Sequence, residues 1–155
     1  FIFPEDEKAG FNRLFVAMTA HNIPEGIAVG FALGSGILSG AGVIAGISVA
    51  LGIGLQNLPE GAAITLPARK IYSKKKAFFK GVISGAVEPI SGAIGFIAVG
   101  FISVLMPYLM AFAAGAMLFV VFSELNADEK NDGSKLAVGA IAGFILMMIM
   151  DVVLG

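Results

Sequence analysis

Runs of about twenty apolar residues recur along this chain between short polar breaks, which is the signature of transmembrane helices. No other feature limits its folds so strongly. Hydrophobic residues make up 57% of the 155-residue sequence and charged residues 14%, where a soluble domain carries about a quarter charged. Mean hydropathy is +0.92. The expected fold is all-α: a polytopic transmembrane helix bundle. Five spans are expected, at about 11–33, 41–66, 78–105, 108–125 and 135–155. Turns fall at Gly34-Ser35-Gly36 with Ser39-Gly40, at the basic stretch 69–80, at Met106-Pro107 and at the Asn/Asp-rich stretch 126–134. The sequence begins at Phe1, neither a methionine nor a signal peptide, and reads as the later part of a longer membrane domain.

Charge distribution sets an orientation. The ten basic residues fall at Lys8 and Arg13, between Arg69 and Lys80, and at Lys130 and Lys135. Five alternating spans place those three segments on one side, while the turns near 34–40 and 106–107 carry no charge. Under the positive-inside rule the basic side is cytoplasmic and the C-terminus lies outside. Lys74, Lys75 and Lys76 read as a topology signal that meets anionic headgroups of the bilayer. The net charge of −1 and the lack of a basic-aromatic stripe give no indication of nucleic-acid binding.

Two hexapeptides interrupt the apolar runs. His21-Asn22-Ile23-Pro24-Glu25-Gly26 and Gln56-Asn57-Leu58-Pro59-Glu60-Gly61 share Asn, Pro, Glu and Gly in register, 56 − 21 = 35 residues apart. Ionisable groups at that depth are costly and mark a pathway, a relay or a bound ion. His21 and Glu25 are i,i+4, as are Gln56 and Glu60, so each pair lies on one helix face a turn apart. Pro24 and Pro59 cannot donate to the carbonyls of Ala20 and Leu55, so each helix is expected to kink at its polar face. Glu88, followed by Pro89, lies about two turns inside the third span, at a depth resembling that of Glu60, and could complete a shared site. Glu124, at the cytoplasmic end of the fourth span, is a candidate exit-path residue or an interfacial carboxylate.

Three carboxylates and one imidazole suit a divalent first-row ion. Oxygen ligands alone would admit Mg²⁺ or Mn²⁺; the imidazole moves preference toward Zn²⁺ or Fe²⁺. Three ionised glutamates would repel one another strongly; one divalent ion offsets two of the three charges and a second would invert the sign, so two adjacent ions bridged by Glu25 and Glu60 could share them, and loading should release protons. The absence of cysteine excludes thiolate ligands. Small residues at i,i+4, as in Gly26/Gly30/Gly34 and Gly42/Gly46/Ala50/Gly54, permit close helix approach and are expected to bring the first two spans together.

At these residues the sequence resembles the ZIP family of divalent metal transporters. The match is the double Asn-x-Pro-Glu-Gly motif with His21 and Gln56 ahead of it, followed by Glu88 on a third span. Gln56, where many relatives have His, looks like the bacterial GufA-like branch. The resemblance implies eight spans, of which these five are the fourth to eighth. It implies uptake of Zn²⁺ or a related ion (Fe²⁺, Mn²⁺ or Cd²⁺) toward the cytoplasm across a bacterial inner membrane. The metal is then the transported substrate, with no cofactor. His21, Glu25, Gln56 and Glu60 are carried over to one metal, and Asn22, Glu25, Asn57, Glu60 and Glu88 to a second. A homodimer is left open.

Two other readings compete. An intramembrane metalloenzyme would need Glu-x-x-His frames or His-Glu-x-x-His, and a single histidine supplies neither. A proton-coupled transporter would use Glu25 and Glu60 but leaves the repeated amide-carboxylate frames unexplained.

Overall fold

The computed structural model describes residues 7–125 and 133–154. Its helices are α1 (Glu7–Leu38), α2 (Ile44–Ile71), α3 (Lys74–Gly85), α4 (Val87–Ile97), α5 (Val99–Leu125) and α6 (Gly133–Leu154). Of the expected loop at 126–134, residues 126–132 with Lys130 lie outside the described residues, as do the side chains of Glu124 and Lys135, and α6 already begins at Gly133. At 32 residues, α1 is about 48 Å long at 1.5 Å per residue, longer than the ~30 Å of a bilayer's hydrocarbon.

Contacts along α1 fix the direction of its neighbours. α2 runs antiparallel: Gly46 sits beside Leu33, while Ile64 and Ala68 join Phe11, Leu14 and Met18 at the other end. α3 and α4 together run parallel to α1. Lys80 Nζ lies 4.4 Å from the centre of the Phe15 ring, Ser84 meets Thr19, and Gly92 and Phe96 follow beside Gly30 and Gly34. α5 returns antiparallel, from Val99 at Gly34 through Ala113 at His21 to Met117 and Val120 against the Phe11–Met18 cluster. α6 packs on α2.

This path corrects one boundary. The third pass ends at Ile97 rather than near 105, and the chain reverses at Ala98, which leaves helical geometry with φ −99° and ψ 25°. The expected break at Met106-Pro107 is absent, and α5 continues through Pro107. A mid-helix proline removes one hydrogen bond, here to the carbonyl of Ser103, and membrane helices tolerate that where other groups re-satisfy the backbone. Pro89 has the larger effect. It cannot bond the carbonyl of Gly85, and α3 stops there. In the first turn of α4 its missing N–H costs nothing.

The glycine row of α1 also has a different partner from the one expected. Gly26 and Gly30 face α4: an added Cβ would fall on the Ser91 hydroxyl and the Glu88 carbonyl at Gly26, and on the Gly92 carbonyl at Gly30. The first and second helices do approach, through Gly46 against Leu33 and Gly36 against Gly42. The least room for an added Cβ, however, is at Gly30 against Gly92 of α4, and Gly26 lies against Glu88, so α4 brings Glu88 against the first hexapeptide.

The apolar cluster of Phe11, Leu14, Met18, Ile64, Ala68 and Ala77 closes one end of the bundle. Phe11 meets the Tyr72 ring edge-on at 5.7 Å, and Lys76 Nζ lies 4.7 Å from the centre of the Tyr72 ring. The basic lead-in of α1 and the basic 69–80 segment therefore share one end. Elsewhere the helices turn large apolar side chains outward, among them Ile44, Ile97, Phe101, Tyr108 and Val152, each more than 70% exposed. Among the described residues, α5 over Val99–Phe122 is the one helix long and apolar enough by itself to cross a membrane. Polar hexapeptides interrupt α1 and α2, and the third pass is split at Ala86, which lowers their apolarity below that of α5.

Candidate metal centre

Both hexapeptides lie inside helices, so Pro24 and Pro59 do not end them. His21 and Glu25 are one turn apart on α1, and His21 Nε2 is 3.2 Å from Glu25 Oε1. Glu60 of α2 reaches the same nitrogen, with Oε1 at 3.8 Å. Ligand atoms of the three lie within 4.8 Å of one another. Two ligands each about 2.1 Å from a tetrahedral Zn²⁺ sit about 3.4 Å apart, so the two measured separations straddle that of a common ion.

The backbone of α5 orients the imidazole. His21 Nδ1 is 2.9 Å from the carbonyl of Ala113, and a carbonyl can only accept, so Nδ1 carries the proton. In the neutral ring Nε2 then presents a lone pair toward the two carboxylates, a metal-ligand tautomer held by its other nitrogen. The side chains of His21, Glu25 and Glu60 are 9%, 13% and 11% exposed.

Two further amide contacts tie α1 and α2 to α3 and α4. Asn57 Nδ2 donates to Glu88 Oε2 in a short contact, and Asn22 Nδ2 donates to the carbonyl of Ser84 at 3.1 Å. Each amide has thereby used a hydrogen-bonding proton and presents its oxygen elsewhere. The buried atoms Asn22 Oδ1, Glu25 Oε2, Asn57 Oδ1, Glu60 Oε2 and Glu88 Oε1 have no hydrogen-bond partner among the described residues. Five buried oxygens without a donor carry a heavy desolvation cost. A divalent cation would satisfy such a set, since every member is an electron donor.

Of the residues expected from the sequence, His21, Glu25 and Glu60 form one cluster, and Asn57 and Glu88 are in direct contact. Asn22, 3% exposed, follows His21 on α1. Gln56 is half-buried on α2, one turn before Glu60. Glu124 is in the last turn of α5. Sequence reasoning missed the Ala113 carbonyl, which has no side-chain signal, and the contact of Asn22 with the backbone of Ser84, a residue with no exposed surface. A groove of about 400 Å³ between α2 and α3, lined by Gly61, Thr65, Phe78 and Gly81, reaches the site at Asn57.

Comparison with known proteins gives a consistent result. The family described as ZIP Zinc transporter matches residues 7–151. The chain is 47% identical to "Zinc transporter ZIP11" of Xenopus tropicalis over 92% of its own length and 44% of that protein. It is 40% identical to "Zinc transporter GufA" of Myxococcus xanthus, covering 92% of this chain and 56% of the relative. With "Zinc transporter ZIPB" of Bordetella bronchiseptica the identity is 37%, over 96% and 48%. The chain spans about half the length of the curated relatives it matches. No solved structure gives a significant match.

Proposed function

The chain belongs to the ZIP zinc transporter family, and from that membership and the geometry of its site we propose that it moves a divalent cation, Zn²⁺ foremost, across a membrane. The observation that supports this best is the set of five buried, donor-less oxygens around His21, Glu25 and Glu60. A structural polar network would pair its acceptors with donors; this one leaves five of them unpaired among the described residues.

In this reading His21 Nε2, Glu25, Glu60 and Gln56 hold a first ion. Asn22 Oδ1, Asn57 Oδ1 and Glu88, with the second oxygens of Glu25 and Glu60, hold another. Bridging glutamates let two ions share the same negative charge, and an ion in one position weakens the hold on its neighbour, which favours passage over permanent binding. Kinks at Pro24 and Pro59 would free the carbonyls of Ala20 and Leu55 along the path. The helices α1, α2, α3 with α4, α5 and α6 would make five crossings, corresponding to the fourth to eighth of eight. The end bearing Lys8, Arg13 and residues 69–80 would face the cytoplasm of a bacterial inner membrane. Transport would run toward that end, with Glu124 at its exit.

The test is Glu25→Gln, which keeps shape and hydrogen bonding but removes charge. Purified, folded variant in liposomes should lose Zn²⁺ uptake and near-stoichiometric Zn²⁺ binding. Wild-type values for both would sink the proposal.

A further inference from the structure

The polar chain that begins at Asn22 does not end at the metal site. Asn22 Nδ2 donates to the carbonyl of Ser84 in the last turn of α3, where helix carbonyls lose their intrahelical partners. The Ser84 hydroxyl, on a residue with no exposed surface, is 2.9 Å from Thr19 Oγ1. Thr19 donates its single hydroxyl proton to the Phe15 carbonyl at 2.7 Å. The direction of the chain follows: Thr19 has no proton left, so Ser84 donates to Thr19. Ser84 is thus tied to α1 at two points one turn apart, by its hydroxyl below and its carbonyl above.

Those ties matter because of what the Asn22 amide must do. With Nδ2 fixed on the Ser84 carbonyl, Oδ1 stays buried without a partner. Released from Ser84, the amide could rotate and offer a hydrogen-bond donor where a ligand oxygen belongs. Glu88 is one turn beyond Ser84, across the break at Ala86. A break that left α3 free to slide along α1 would therefore displace both Asn22 Oδ1 and Glu88.

We propose that Ser84, clamped through Thr19, is a positioning residue that sets Asn22 Oδ1 and Glu88 for the second ion while leaving the His21–Glu25–Glu60 ion untouched. This assignment rests on the two-ion transport reading above. Partners of this kind, one shell behind the ligands, are worth about 10- to 100-fold in metal affinity.

A Zn²⁺ binding isotherm on the purified protein tests it. Wild type should bind two ions in resolvable steps. Ser84→Ala should weaken one step about tenfold and leave the other within about twofold. Thr19→Val should do the same, the two combined should cost little more than either, and Thr19→Ser should restore wild-type binding. Thr19→Val alone decides the matter if Ser84→Ala does not fold. Unchanged isotherms in either variant, or equal weakening of both steps, would overturn the assignment. A single step in wild type would overturn it too, while leaving one-ion transport standing; no binding in wild type would sink both.

Discussion

His21 Nδ1 and the carbonyl oxygen of Ala113 lie 2.9 Å apart across α1 and α5, and this one contact decides which nitrogen faces Glu25 and Glu60. The lone imidazole of the chain is thereby held in one orientation, with Nε2 toward the two carboxylates. His21→Ala removes the only nitrogen donor and leaves oxygen alone, so Zn²⁺ affinity should fall at least about tenfold and preference shift toward Mn²⁺ or Mg²⁺. Competition binding among the three ions checks this. An unchanged preference order would remove His21 from the site.

Glu25 and Glu60 approach the same imidazole nitrogen from different helices, so they should behave as one unit. Glu25→Ala and Glu60→Ala should each abolish transport, and the double variant should be little worse than either. Additive losses in liposome uptake would mean that the two carboxylates serve separate steps.

Glycine substitutions separate the packing of α1 on α4 from ordinary helix propensity. Gly→Ala in an open helical position stabilises by up to about 1 kcal/mol, and Gly54 has nothing within 4 Å of an added Cβ. At Gly30 the same Cβ falls on the Gly92 carbonyl. Gly30→Ala should therefore destabilise by about 1–3 kcal/mol, and Gly54→Ala should be neutral or stabilising. Thermal unfolding in detergent measures the sign, and the same sign at both positions would contradict the close α1–α4 contact.

The sequence has no cysteine, so single cysteines report topology without background. Ser39 is exposed in the turn after α1, and Ser73 is exposed between α2 and α3 at the basic end. Impermeant thiol reagent applied outside cells should label Ser39→Cys and not Ser73→Cys. The reverse pattern would invert the orientation.

The sequence by itself determined the helical class and the i,i+4 pairing of His21 with Glu25, and it singled out Glu60 and Glu88 as candidates. Each follows from local periodicity or from polar groups set in apolar surroundings, and neither depends on the tertiary arrangement. It did not determine where the third pass ends. Pro89 and Pro107 look alike in sequence, but one falls in the first turn of a helix and the other inside a helix that continues. Nor did it tell which helix the Gly26/Gly30/Gly34 row would meet, since small residues permit close approach without naming a partner. Tertiary structure decided that the partner is α4, and so brought Glu88 beside the first hexapeptide. It also supplied the Ala113 carbonyl for His21 and the Ser84 carbonyl for Asn22. Those two are backbone atoms, present at every residue, and only the packing of distant helices could select them.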